Sequence, residues 1–203
     1  MRAPLASICI PTLKGYDNLT KLLRSVEEHT PVDYEAVIVD SGSRVRGYTE
    51  PMNQALRAAR GEFLLALNDD IEVSEGWIEP LLERARAGIW ACTPDMTHTD
   101  GPQVFAPYCL CLRRDAFENL GGLDEQFVHW CSDIDLARRL IDAGHSPVKV
   151  KLPNPITHEV GGTTTRYPER AGEIGHICTE DLKRYLEKWG VDANDDKARM
   201  ACV

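Results

Sequence analysis

The chain has 203 residues, 23 basic and 32 acidic side chains and a formal net charge of −9, with 43% hydrophobic and 27% charged residues. That length holds one domain with a real core, and that balance excludes a disordered chain. The acidic excess argues against a nucleic-acid clamp or a basic membrane-surface protein, since both recruit polyanions through Lys and Arg. No segment reaches the roughly 18–20 apolar residues that span a bilayer. The apolar run before Pro11 reads as a strand, not as a signal-peptide core. Seven cysteines, with no C-x-x-C pair, read as reduced and mostly buried thiols of a cytoplasmic protein.

In chain order, Leu5–Ile10 is a buried strand closed by Pro11. Asp17 or Asn18 caps a helix carrying Leu19, Leu22, Leu23 and Val26, which Pro31 stops. Tyr34–Val39 is a second strand, ended by the turn Asp40-Ser-Gly-Ser43. Pro51–Arg60 is a helix with Pro in its first turn and Gly61 past its end. Phe63–Leu67 is a third strand running into Asn68-Asp69-Asp70, and Ser74 caps a helix over Trp77–Ala87. Further on, Val104–Arg113 reads as a strand, Ala116–Leu120 and Ser132–Ala143 as helices, and Pro147–Leu152 as a strand. Pro153–Arg170 reads as loop, Glu173–Trp189 as a helix, and residues 191–203 as a polar tail beyond a domain over 1–190.

Strand–helix alternation predicts an α/β fold with a mostly parallel sheet flanked by helices. In such sheets, ligands sit beyond the carboxyl ends of the strands. Three strand ends carry polar clusters: Pro11-Thr12, Asp40-Ser41-Gly42 and Asn68-Asp69-Asp70. If the strands are neighbours, these clusters meet on one edge.

Asp69 and Asp70 suit a hard divalent cation completed by substrate phosphates, or equally a tight acidic turn. Ser132-Asp133-Ile134-Asp135 suits a helix cap, with Asp135 completing a capping box. It also offers Asp133 or Asp135 as a general base kept ionised by the helix terminus. His158 follows a strand and lies in a Gly-rich loop, where a third metal ligand or a surface histidine would fit. His129 and Trp130 precede the acidic helix and suit an acceptor pocket or simple packing.

The order of these clusters resembles the family-2 glycosyltransferases of the GT-A fold. Ser7-Ile-Cys-Ile-Pro-Thr12 is similar to their opening strand, and Ile38-Val-Asp-Ser-Gly-Ser43 to their second-strand motif. Asn53–Phe63 continuing to Leu67-Asn-Asp-Asp70 is similar to their helix, strand and D-x-D segment. Gly121-Gly-Leu-Asp-Glu-Gln-Phe127 followed by Ser132-Asp-Ile-Asp-Leu136 is similar to their G-G-F-D-E-x-F and E-D-x-D-L segment. The likeness runs over residues 5–165. It departs where Asn68, Ser41 and Ser132 stand in place of carboxylates, and where only Arg44–Met52 separate the second turn from Asn53.

The resemblance implies inverting transfer of a sugar from a nucleoside-diphosphate sugar, a UDP-sugar first among them, to a hydroxyl acceptor. It implies Mn²⁺ or Mg²⁺ held by Asp70 with His158, and Asp133 as the base. Donor contacts fall on Pro11, Thr12, Asp40, Ser41, Asn53, Arg57, Asn68 and Asp69. Acceptor contacts are assigned to His129, Trp130 and Asp135. Asn68 and Ser41 also motivate an alternative, a nucleotide-sugar binding module without turnover. The acceptor residues of such a fold come from the variable second half, here Thr93–Pro107 and Pro155–Arg170. A modified base in DNA is a further acceptor class, with Arg44, Arg46, Arg57 and Arg60 as its basic patch.

Overall fold

The computed structural model describes residues 2–14, 16–42, 47–95, 108–159 and 168–191. The central sheet has six strands in the order β2-β1-β3-β6-β5-β7. They are β1 (Ala6–Thr12), β2 (Tyr34–Asp40), β3 (Phe63–Leu67), β5 (Ala91–Pro94), β6 (Cys109–Arg113) and β7 (Val148–Val150). β1 pairs in parallel with β2 and β3, β6 runs antiparallel to both β3 and β5, and β7 is parallel to β5. Every strand except β6 therefore points the same way, as the alternation predicts.

All five residues of β3, Phe-Leu-Leu-Ala-Leu, are buried. A strand covered on both faces needs such an unbroken apolar run. On one face pack α1 (Tyr16–His29) and α3 (Glu79–Arg86), through Leu19, Leu22, Val26, Leu81 and Leu82 against Ile8, Ile10 and Leu65. On the other pack α2 (Thr49–Ala58) and α5 (Ser132–Asp142), through Met52, Leu56, Leu136 and Leu140 against Cys9, Leu64 and Leu112. A fully buried Leu of this kind contributes about 2 kcal/mol by leaving water. Trp77 is buried too, and its indole N–H donates to Thr30 Oγ1 at 3.1 Å. Cys9, Cys92, Cys109 and Cys111 are free and buried, and Cys131 is buried, as expected.

Local expectations fail in four places. Pro153–Arg170 is not all loop: Thr157–His158 forms β8, antiparallel to β4 (Ile71–Glu72), and a short 3₁₀ turn covers Pro168–Arg170. Two-residue strands carry no periodicity, so only their pairing reveals them. Ser74 does not cap α3. That helix starts at Glu79, which places Pro80 in its first turn, and the Ser74 hydroxyl donates to the Pro155 carbonyl instead. β5 has no signal strong enough to stand out from the sequence. The capping box at Ser132 does not form, because the residue before α5, Cys131, is left-handed and no side chain caps the helix.

The remaining helices are α4 (Arg114–Leu120) and the long α6 (Ala171–Trp189). Among the described residues, no helix is long and apolar enough to cross a membrane. Arg44, Arg46, His98, Asp100, residues 163–166 and nearly all of the 191–203 tail lie outside the described residues.

Candidate active site

The carboxyl ends of β1, β2 and β3 meet on one edge. Thr12 stands opposite Asp40 in the β1–β2 register, and the Ser41 amide donates to the Thr12 carbonyl at 2.9 Å. Pro11 lies one step earlier, opposite Val39. The Thr12 hydroxyl donates to Asp69 Oδ2 at 2.6 Å, tying the first strand to the acidic cluster after the third. Asp40 accepts from the Tyr16 hydroxyl at 2.7 Å and from the Gly42 amide at 2.8 Å. These bonds, the Tyr16 hydroxyl foremost, hold its carboxyl below the usual range. The three clusters thus form one polar floor.

Asp69 is buried and engaged with Thr12, whereas Asp70 points elsewhere. The β4–β8 pairing sets Ile71 against His158, and the Glu159 amide donates to the Asp70 carbonyl. His158 Nε2 thereby comes within 3.3 Å of Asp70 Oδ1. That oxygen is buried and accepts no hydrogen bond. Asn68 Nδ2 lies 3.5 Å from the same ring nitrogen, and Tyr108 stacks on the imidazole at 4.9 Å. Buried carboxylate oxygens are ordinarily satisfied. An unsatisfied one beside an imidazole nitrogen fits a divalent cation that takes its other ligands from phosphate and water. Among the described residues, no three His, Cys, Asp or Glu side chains gather as a complete ligand set.

Asp133 sits in the first turn of α5 and lines a narrow cavity of about 20 Å³ with Tyr48, Leu56, Leu110, Leu112 and Leu136. That volume admits about one water. Burial pushes the Asp133 carboxyl up to about 6, against hydrogen bonds from backbone amides, including that of Ile134. The helix terminus does not hold this carboxyl at an ordinary value, because its apolar walls outweigh the amides. Tyr48 is raised as well, first by burial, then by Asp133, and more weakly by Cys9, Cys109 and Asp70. Tyr48 therefore stands within electrostatic reach of both carboxylates.

Several expected contact residues are used within the fold. Asn53 is wholly buried: its amide donates to the Leu123 carbonyl and Glu125, and its Oδ1 accepts from the Leu123 amide. It braces the Gly121–Glu125 turn. Arg57 pairs with the same Glu125 at 2.6 Å, and Arg60 pairs with Glu35 at 2.7 Å. The described half of the expected basic patch is thus already neutralised. Asp135 is fully buried and accepts from Arg139, Lys188 and the Trp189 indole, so it faces α6 and not an acceptor. Trp130 keeps 40% of its surface exposed three residues before Asp133. Burial lowers the His129 imidazole, with Asp181 opposing.

Asp181 is a residue that sequence reasoning misses. Its carboxylate is fully buried and accepts the amides of Val128, His129 and Trp130 at 3.0, 2.7 and 2.9 Å. Asp181 falls among the apolar positions of a long amphipathic helix, a mild signal that only its tertiary contacts explain.

Residues 44–96 match the model of Glycosyl transferase family 2. The O-antigen biosynthesis protein RfbC of Myxococcus xanthus is 30% identical over a stretch covering 53% of this chain and 12% of that protein. The chain spans about a quarter or less of the length of the curated relatives it matches. The mannosyltransferase PcManGT from Pyrobaculum calidifontis, in complex with GDP-Man and Mn²⁺, superposes with a TM-score of 0.66. It is 15% identical over 92% of this chain and 65% of its own. S. aureus TarS in complex with UDP gives a TM-score of 0.58 at 15% identity, over 97% of this chain and 69% of its own. The chain has the GT-A fold, and its residues 44–96 are similar to the family-2 glycosyltransferases.

Proposed function

We propose that the chain transfers a sugar from a nucleoside-diphosphate sugar to a hydroxyl acceptor with inversion, assisted by a divalent cation and with Asp133 as general base. The observation that carries the proposal is the buried, unsatisfied Asp70 Oδ1, 3.3 Å from His158 Nε2, on the edge where β1, β2 and β3 end. Asp70 and His158 would hold Mn²⁺ or Mg²⁺, which supplies positive charge against the diphosphate leaving group. The similar structures that hold GDP-Man with Mn²⁺, and UDP, support a nucleotide donor and a metal.

The remaining work falls to the chain's own groups. Asp40 and Ser41 at the end of β2 orient the nucleoside, and the Thr12–Asp69 pair anchors the turn beneath it. Asp133 removes the proton of the incoming hydroxyl, and its raised proton affinity matches it to that task near neutral pH. Trp130 offers an exposed aromatic face to an acceptor. Direct displacement of the nucleotide by the hydroxyl inverts the anomeric centre and calls for no protein nucleophile.

The test is incubation with Mn²⁺, a panel of nucleotide sugars and candidate acceptors, with release of nucleoside diphosphate measured. Metal-dependent release that disappears in Asp133→Asn is the expected outcome. Tight nucleotide binding without release from any donor would favour the non-catalytic binding module instead.

A further inference from the structure

We infer that Asp181, on α6, is a positioning residue for the base: it fixes the backbone of residues 128–130 and so sets where Asp133 is presented. The inference rests on the proposed role of Asp133. Three consecutive amides donate to one fully buried carboxylate some fifty positions later in the chain. An apolar side chain in its place would leave those three amides without their acceptor, so the carboxylate fixes the backbone of residues 128–130 in a way that packing alone does not. Arg184, one turn along α6, supplies the counter-charge at 2.9 Å.

The segment so held is strained. Cys131 has φ +64, and among the described residues only Lys14 is another non-glycine with positive φ. A β-carbon-bearing residue keeps that conformation when its surroundings over-determine it. α5 starts at the next residue, and Asp133 follows one residue later.

The opposite side of the segment is clamped as well. The Val128 carbonyl accepts the amides of Tyr48 and Thr49 at 2.9 and 3.2 Å. Gly47, at φ +71, approaches so closely that a Cβ there would lie 2.0 Å from that carbonyl oxygen. Tyr48 lines the cavity that Asp133 enters. The Val128 residue is therefore gripped through its N–H by α6 and through its C=O by the start of α2. Lys188, bonded to both Asp124 and Asp135, adds a second tie from α6 to the same region.

The test compares wild type, Asp181→Asn, Asp181→Glu and the exposed control Glu180→Gln. Donor kinetics, nucleotide affinity by calorimetry, amide hydrogen exchange at residues 128–130 and the ¹³C carboxyl signal of Asp133 are measured. Asp181→Asn is expected to lower kcat about 100-fold through a displaced base. Donor KM and nucleotide affinity stay near wild type, exchange at 128–130 accelerates and the Asp133 signal shifts. Asp181→Glu, which keeps the charge, recovers part of kcat, and Glu180→Gln behaves as wild type. Unchanged kcat in Asp181→Asn overturns the inference, as does parallel loss of kcat, nucleotide affinity and melting temperature. If wild type turns over no donor, the role of Asp133 fails on its own. The Asp133 carboxyl signal then still decides the inference: a signal identical in wild type and Asp181→Asn overturns it.

Discussion

Asp133 gives the sharpest prediction because the same desolvation that raises its proton affinity toward the working pH also costs stability once the group ionises. Burial raises its carboxyl from 3.8 to about 6. A shift of about two pH units corresponds to about 3 kcal/mol between the two protonation states. The sign follows from linkage. Below about pH 4 the group is protonated in both folded and unfolded chains and costs nothing. As pH rises through about 6 the folded chain must ionise a half-buried, desolvated group that the unfolded chain ionises freely, and the full penalty is present above that value. Asp133→Asn removes the charge. It should therefore raise the unfolding free energy by about 1–3 kcal/mol at pH 7.5, with no gain near pH 3.5, while abolishing transfer.

In the wild type, kcat/KM should fall about tenfold per pH unit below about 6, because the base must be ionised to accept a proton. Urea unfolding of both proteins at two pH values, and initial rates of nucleoside diphosphate release across pH, read these effects. A rate plateau extending well below pH 5, or an Asp133→Asn protein that is less stable at neutral pH, would refute the reasoning.

Three further outcomes follow from the contacts of other residues. Asp70→Asn should weaken Mn²⁺-dependent nucleotide binding about 10- to 100-fold by calorimetry, and metal-free binding should change little; equal affinity with and without the substitution would exclude Asp70 as a ligand. Asn53→Leu removes three hydrogen bonds to the Leu123–Glu125 turn, two of them buried, and urea unfolding should show a loss of about 3 kcal/mol. A loss under about 1 kcal/mol would mean that Asn53 does not brace that turn. Gly47→Ala places a methyl against the Val128 carbonyl at positive φ, and should lower stability by about 2–4 kcal/mol in thermal unfolding.

The sequence by itself determined the alternating architecture and the edge at which its polar clusters meet. Both are local in origin. Five consecutive apolar residues make Phe63–Leu67 a buried strand wherever it is placed, and the polar residues that end β1, β2 and β3 share an edge once those strands are parallel neighbours. The tertiary structure alone decided which of those residues have a partner and which do not. Asp69 and Asp70 are adjacent and chemically identical in the chain, yet Thr12 engages one while the β4–β8 pairing leaves an oxygen of the other bare beside His158. Asp133 and Asp135 begin as equivalent acids in one helical turn. One enters an apolar cavity and gains proton affinity, and the other is consumed by Lys188, Arg139 and Trp189. Burial and hydrogen-bond partners across fifty or more residues separate such pairs, and no pattern of neighbouring residues encodes them.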